Sequence, residues 1–221
     1  SSCIYPKFAK QPIKEEYLLS GPLEETNESY AIAKIAGIKL CSSLRREFGF
    51  DAITLMPTNL YGPGDNYSYE TSHVMPALIR RIYEAKEKGL DFIKCLGSGE
   101  PLREFLYVED LAEACIFTLE NWMIKDQNNF EIKENECIWI NVGSNEEISI
   151  KLLANKIANT LGYEGKIIWD KSKPDGTPRK KLDTTSLNNL GWHSKTDLNT
   201  GIKKTIENFK FLKSLGQLRI N

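Results

Sequence analysis

The chain has 221 residues, 41% of them apolar, and its 29 basic side chains nearly balance its 30 acidic ones. This length and apolar content allow one domain with a sizeable core, or one domain with a smaller lobe. A net charge of −1 creates no overall field that would attract nucleic acid or an anionic membrane. No apolar run approaches the length of a membrane span. From the charge and the apolar runs together, we expect no nucleic acid and no membrane as partners.

The cysteines favour a reducing compartment. They are odd in number, widely spaced and without a CxxC pair, which argues against a disulfide framework and against a zinc site. They are Cys3, Cys41, Cys95, Cys115 and Cys137. We therefore expect a cytoplasmic protein with no metal, in which every cysteine except Cys3 is a small buried residue.

The elements predicted in chain order alternate between strands and helices. Residues 1–5 look like the end of a strand, and because the first residue is Ser1 rather than Met, we expect a fragment or a processed form. Helices are predicted over residues 26–48, 74–88, 110–122, 149–161 and 197–215, and strands over 52–56, 92–96, 103–108, 137–142 and 167–169. This alternation is typical of a mostly parallel α/β sheet.

The segments between these elements are polar. They comprise loops at 6–21 and 57–64, a Gly-Ser-Gly turn at 97–101, a charged connection at 125–136 and a basic loop at 171–181. Ligands of open α/β sheets bind at the carboxyl ends of strands, which makes the loop at 57–64 a candidate site. The sequence has no glycine-rich strand-turn-helix motif that could bind a pyrophosphate. Gly97 and Gly99 do not supply one, because they lie in a turn between predicted strands and not at the start of a helix.

Tyr30 and Lys34 are four residues apart on the first predicted helix. This spacing places both side chains on one face, where an ammonium can favour a phenolate and so assist proton donation to a carbonyl. Any amphipathic helix can place these residue types four apart, so the pair by itself is weak support for catalysis. The serine-rich segment at residues 1–5 strengthens it.

Several motifs together resemble the GDP-L-fucose synthases, a family of extended short-chain dehydrogenase/reductases. The motifs are SSCIYP at 1–6, YAIAK at 30–34, MPTNLYGP at 56–63, SHVMP at 72–76, REF at 103–105 and KPDGTPRK at 173–180. The resemblance implies an α/β, Rossmann-like doubly wound parallel sheet with a smaller substrate-binding lobe. It also implies that the chain lacks the first half of the cofactor domain.

The resemblance assigns residues 1–66 to the NADP-binding domain. Residues 67–221 would be mostly substrate lobe, with a segment at about 103–145 returning to the Rossmann sheet. It implies NADP(H) as the cofactor, a GDP-sugar substrate and a homodimer built through the helix that carries Tyr30. Ile35, Ile38 and Leu40 on that helix could be core or interface.

The implied reaction converts GDP-4-keto-6-deoxy-D-mannose to GDP-L-fucose by 3,5-epimerisation and 4-keto reduction. Tyr30 would donate the proton to the C4 oxygen, Lys34 would assist it, and Ser1 would orient the carbonyl. Cys3 and His73 would be the acid/base pair for epimerisation. His193 would be structural or exposed.

Further residues follow from the same resemblance. Those implied to contact the cofactor are Ser1, Ser2, Tyr30, Lys34, Pro57, Thr58, Asn59, Leu60 and His73. Those implied to contact the substrate are Arg81, Leu96, Arg103, Asp175 and Lys180. Leu96 stands where some relatives carry an aromatic residue, so a stacking contact is in doubt there.

Two other functions stay open. One is a different sugar-nucleotide epimerase or dehydratase that uses the same Tyr and Lys but needs neither Cys3 nor His73. The other is a catalytically inactive module that only binds a nucleotide-sugar.

Overall fold

The computed structural model describes residues 1–122 and 139–220. The helices are α1 Glu28–Phe48, α2 Val74–Glu87, α3 Val108–Asn121, α4 Ile150–Leu161, α5 Thr185–Asn189 and α6 Leu198–Ser214. The strands are β1 Thr54–Pro57, β2 Asn59–Tyr61, β3 Phe92–Leu96, β4 Leu102–Tyr107, β5 Trp139–Val142, β6 Glu147–Ser149, β7 Lys166–Asp170 and β8 Arg179–Lys180. The predicted connection at 125–136 and Cys137 lie outside the described residues.

Helix α1 shows how local sequence sets the boundaries and the buried face. Ile35 and Ile38 lie on one face and are buried, whereas Leu40 is 59% exposed. Gly49 ends the helix with a φ of 64°, a left-handed conformation that glycine adopts without strain. Of the three apolar positions left open between core and interface, the first two are therefore core.

The strand pairing is mostly parallel, as the alternation of elements predicts. Strand β1 pairs with β5, β2 with β4, β3 with β7, and β4 with β8, all in parallel; β4 also pairs with β6 in an antiparallel register. Between β1 and β2, the amide of Thr58 donates to the carbonyl of Val142 at 3.0 Å. The chain therefore passes from one strand pair to another at Thr58.

Four sequence-based predictions were wrong in detail. Residues 1–5 are not a strand end, because Ser2–Ile4 forms a 3₁₀ turn in which the Ser1 hydroxyl accepts the Cys3 amide. The loop at 57–64 contains β2, and the basic loop at 171–181 contains β8. Both are short strands whose ladder pairing is with β4, a partner distant in sequence. The expected burial of the cysteines is wrong for Cys115, which is exposed, and for Cys41, which is half-buried.

The core divides into three clusters of buried apolar residues. The largest joins α2, α4 and α6 to β3 and β4, a second lies beneath the turn at Ser2–Ile4, and a third packs α3 and α5 against β5. The turn that carries Ser1 and Cys3 thus rests on a packed core through Ile4 and Tyr5. Within the described ranges, none of the helices has the length and apolar character to cross a bilayer.

Candidate active site

Tyr30 and Lys34 share an exposed face at the start of α1. Tyr30 is 48% exposed, and the Lys34 Nζ atom lies 5.5 Å from the centre of its ring. A cation at this distance interacts with the face of the ring. The pair is therefore placed as the spacing predicts, and its side chains are accessible to a ligand.

The 3₁₀ turn at Ser2–Ile4 carries Cys3 and has Ser1 as its N-cap. The backbone amide of Cys3 donates to the Ser1 hydroxyl at 3.4 Å, which holds the two residues side by side. The hydroxyl of Tyr5, just after the turn, donates to Oδ1 of the buried Asn141 on β5 at 2.6 Å.

Cys3 is surrounded by cations. The Lys180 Nζ atom lies 3.7 Å from the Cys3 Sγ atom. The half-buried Arg103 is close to both Cys3 and Asp175: burial lowers the pKa of its guanidinium, and these two residues raise it. The thiol of Cys3 therefore has two cationic side chains as neighbours.

Asp175 connects the basic loop to the Gly-Ser-Gly turn. The backbone amide and the hydroxyl of Ser98 donate to the Asp175 carboxylate at 2.8 and 2.6 Å. These bonds hold the pKa of Asp175 below its ordinary value. A Cβ atom at Gly97 would collide with this carboxylate, so glycine is required there. Asp175 thus fixes the loop that carries Lys180.

Arg81 and Leu96 lie farther along the lobe, between α2 and β3. The Arg81 Nη1 atom donates to the carbonyl of Lys94 at 2.7 Å, and Leu96 at the end of β3 is 64% exposed. Arg81 is exposed, and its bond to Lys94 joins helix α2 to strand β3. Both side chains are accessible, and no described contact connects them to Cys3.

His73 immediately precedes α2 and is exposed. It is close to Asp65. Burial raises the pKa of Asp65, and the nearby His73 opposes this effect. In the described part of the chain no contact joins His73 to Cys3, so the structure does not bring the implied acid/base pair together. His193 is exposed, one of the two predicted possibilities.

The segment at 57–60 is anchored by a residue that the sequence did not single out. The side-chain amide of Asn59 and the hydroxyl of Thr58 donate to the carbonyl of Glu104, at 2.7 and 3.1 Å. Glu104 itself is completely buried. A glutamate followed by the apolar run Phe105-Leu106-Tyr107 is a signal that could have identified it, because glutamate is seldom fully buried.

The structure fits half of a dinucleotide. Tyr30 and Lys34 offer exposed polar groups and Ser1 offers a half-buried hydroxyl, as a nicotinamide and its ribose require. The described ranges hold no glycine-rich turn at the start of a helix that could receive a pyrophosphate. The fit therefore extends to the nicotinamide end only.

Comparison with known proteins supports this assignment of motifs. The chain is 52% identical over 205 residues to a probable GDP-L-fucose synthase 1 of Oryza sativa subsp. japonica, covering 93% of this chain and 59% of that protein. It is 50% identical over 209 residues to the GDP-L-fucose synthase of Escherichia coli K12, covering 95% and 64%. The chain thus spans about three fifths of the length of these relatives.

A solved structure extends the similarity to the fold. A GDP-L-fucose synthetase of Naegleria fowleri bound to NADP superposes with a TM-score of 0.83 at 28% identity, covering 98% of this chain and 66% of that one. The fold is therefore of the Rossmann type. The model of the NAD dependent epimerase/dehydratase family matches residues 1–132, more than half of the sequence. This chain belongs to the NAD dependent epimerase/dehydratase family.

Proposed function

We propose that the native gene product containing this chain converts GDP-4-keto-6-deoxymannose to GDP-L-fucose, with NADPH as reductant. The proposal is supported by the names of relatives at about half identity over nearly the whole chain. The single structural observation that carries it is the cluster of Cys3, Lys180 and Arg103 beside Ser1. A 4-epimerase would have no use for a thiol among cations at this place.

Reduction uses the residues of α1 and the turn. The phenol of Tyr30 gives its proton to the C4 oxygen, and Lys34 stabilises the phenolate that remains. The Ser1 hydroxyl donates a hydrogen bond to the same carbonyl and so orients it. A bound nicotinamide cofactor supplies the hydride. The residues that would hold it are those at 57–60 together with Tyr30 and Lys34.

Epimerisation uses the cation-flanked thiolate. Cys3 as thiolate removes a proton from the carbon next to the ketone, and the electron pair moves to the carbonyl oxygen as an enolate. A proton returned to the opposite face of that carbon inverts it, and His73 is the candidate donor. We infer that His73 approaches the sugar from α2, which would bring it to the substrate rather than to Cys3.

The substrate's diphosphate requires cations. Arg103 and Lys180 lie together beside Cys3, and Arg81 is exposed on helix α2. Arginine binds phosphate oxygens in pairs through its planar fork, whereas lysine contributes a point charge. We assign the diphosphate to Arg103 and Lys180, and the remaining GDP-sugar contacts to Arg81, Leu96 and Asp175.

Isotope exchange tests the proposal directly. The gene product is incubated with GDP-4-keto-6-deoxymannose and NADPH in deuterated water, and the product is analysed by mass spectrometry and NMR. We expect deuterium at C3 and C5 together with oxidation of NADPH. Reduction without deuterium at these carbons would exclude the epimerase step. The absence of both deuterium incorporation and NADPH oxidation would exclude the proposed function.

Cys3→Ser separates the two steps. Exchange at C3 and C5 should fall by about 10² or more, while reduction of an already epimerised intermediate continues. Cys115→Ser is the matched control, since this thiol is exposed on α3. Equal losses of exchange and reduction in Cys3→Ser would contradict the role given to Cys3.

A further inference from the structure

Glu104 is a buried carboxylate whose bonds go to the main chain. One carboxylate oxygen accepts the amide of Asn145 at 2.8 Å, and the other accepts the amide of Leu182 at 3.0 Å. Its side chain is completely buried, and no ion pair to it occurs among the described residues. A buried carboxylate satisfied in this way is unfavourable unless each bond persists, because losing one leaves an unpaired polar group.

The segments bonded to Glu104 converge on the proposed site. Its main-chain carbonyl accepts hydrogen bonds from the side chains of Thr58 and Asn59, at the start of β2. Its carboxylate accepts the backbone amide of Leu182, two residues after Lys180. Asn145 belongs to the loop that follows β5, the strand that pairs with β1. Glu104 itself follows Arg103 on β4. One residue therefore connects the cofactor side of the site to the substrate side.

The space around the carboxylate is closed. A Cβ atom at Gly143 would collide with the carboxylate, so this glycine allows the close approach of the β5 end to Glu104. Burial raises the pKa of Glu104, while the amides of Leu182, Asn145 and Ser144 lower it. The amides therefore replace water as the solvation of this group, and they can do so only in one arrangement of the three segments.

We propose that Glu104 is a positioning residue whose carboxylate holds the segments of Asn145 and Lys180 in the geometry that the reaction needs. The inference rests on the proposed function, because that function gives Lys180 its role. Positioning matters since a displacement of about 1 Å can reduce a rate by about 10². Glu104 touches neither substrate nor cofactor and acts through the segments that it binds.

Asp110 provides a matched control. It is a buried carboxylate on α3 that accepts the amides of Lys195 and Thr196 at 3.2 and 2.9 Å and the Thr196 hydroxyl at 2.8 Å. It joins α3 to the segment before α6 and bonds to none of the proposed site residues. Asp110→Asn therefore makes the same chemical change without the same connections.

The test compares Glu104→Gln with Asp110→Asn in the native gene product. In each variant an NH₂ group replaces one carboxylate oxygen. Because this group cannot accept a hydrogen bond from the backbone N–H that it faces, both variants should lose thermal stability. In Glu104→Gln, kcat per folded molecule should fall at least about tenfold with a change in KM below about threefold. Asp110→Asn should keep kcat within about twofold. Equal kcat values in the two folded variants would overturn the proposal.

Gly143→Ala is the second variant, for the case that Glu104→Gln does not fold. Its added methyl group displaces the carboxylate while Glu104 itself is retained. The same fall in kcat supports the proposal, and an unchanged kcat overturns it.

Hydrogen exchange separates this inference from the proposed function. In Glu104→Gln the amides of Asn145 and Leu182 should exchange at least about tenfold faster, while those in β3 and β7 stay protected. This holds even if the wild type fails to convert the keto-sugar, which would refute the function alone. Unchanged exchange at these amides would overturn the positioning role.

Discussion

At the scale of single residues, the spacing of Tyr30 and Lys34 predicted a geometry that the structure contains. The Lys34 ammonium lies 5.5 Å from the Tyr30 ring centre, and Tyr30 is accessible. Lys180, from a segment far along the chain, lies 3.7 Å from the Cys3 Sγ atom, and the Cys3 amide donates to the Ser1 hydroxyl. The Cys3 thiol and the Ser1 hydroxyl therefore adjoin.

Tyr30→Phe should separate reduction from exchange. Removing the phenol removes the proton donor to C4, so reduction should slow by about 10² to 10⁴. Deuterium exchange at C3 and C5 should continue, since it depends on Cys3. Product formation and exchange are measured in the same reaction, with Tyr17→Phe as the control. Loss of exchange to the same extent would contradict the separate roles.

The ion pair between Glu147 and Arg179 should contribute a pH-dependent part of the stability. Two bonds of 2.8 and 2.7 Å join the side chains, and the hydrogen bond from Arg179 lowers the pKa of Glu147 from 4.5. A carboxylate with a lowered pKa stabilises the fold above its unfolded pKa, and this effect disappears as the pH falls through the folded pKa. The advantage of wild type over Glu147→Gln in Tm should therefore shrink between about pH 6 and pH 3.

The control for this prediction is Glu120→Gln on the exposed face of α3. Its Tm should follow that of the wild type across the same range of pH. A difference between wild type and Glu147→Gln that stays constant on acidification would show that the pair does not contribute.

At the scale of elements, a buried hydrogen bond joins the turn at Ser2–Ile4 to β5. The Tyr5 hydroxyl donates to Asn141 Oδ1, and the side-chain amide of Asn141 donates to the carbonyls of Ile13 and Asp183 at 3.0 and 3.1 Å. Asn141 on β5 thus joins the turn to the segments at Ile13 and Leu182, which form a parallel bridge. These connections place Cys3 opposite Lys180.

Tyr5→Phe should destabilise the fold through this bond. Asn141 Oδ1 would remain buried without its donor, which costs about 1–3 kcal/mol in the free energy of unfolding. Urea denaturation measures the change, and Tyr17→Phe is the control, because its ring is only half-buried. A change in Tyr5→Phe no larger than in the control would show that this bond contributes nothing.

At the scale of the whole molecule, the chain has a Rossmann-type fold. The largest core cluster lies where α2, α4 and α6 meet β3 and β4. Strand β4 belongs to this cluster and also pairs with β2 beside the proposed site. This core therefore supports the proposed site through the same strand that carries Arg103 and Glu104.

The polypeptide of residues 1–221 should bind NADPH weakly by itself. Its described residues offer groups for the nicotinamide ribose but no helix N-terminus after a glycine-rich turn for the pyrophosphate. Fluorescence titration of NADPH measures this, with the native gene product as the comparison. Micromolar binding to residues 1–221 would show that this polypeptide holds a phosphate site that the fit does not include.

Local sequence determined those parts of the fold that depend on neighbours in the chain. Helix α1 with its closing Gly49, strand β3 and the turn at 97–99 follow from periodicity and glycine positions. The strands β2, β6 and β8 were not predicted, because each has only two or three residues and forms by pairing with β4. A run that short carries too little periodicity to identify it.

The sequence by itself determined the family and the identity of the reactive groups, because these reside in short motifs such as YAIAK at 30–34 and SSCIYP at 1–6. Only the tertiary structure decided which groups meet. The Lys180 ammonium reaches the Cys3 thiol across 177 positions, and the Glu104 carboxylate accepts the amide of Leu182 across 78, through side-chain contacts that no motif encodes. The physical reason is that burial and long-range hydrogen bonding depend on the packed chain, whereas spacing along a helix depends on local sequence alone.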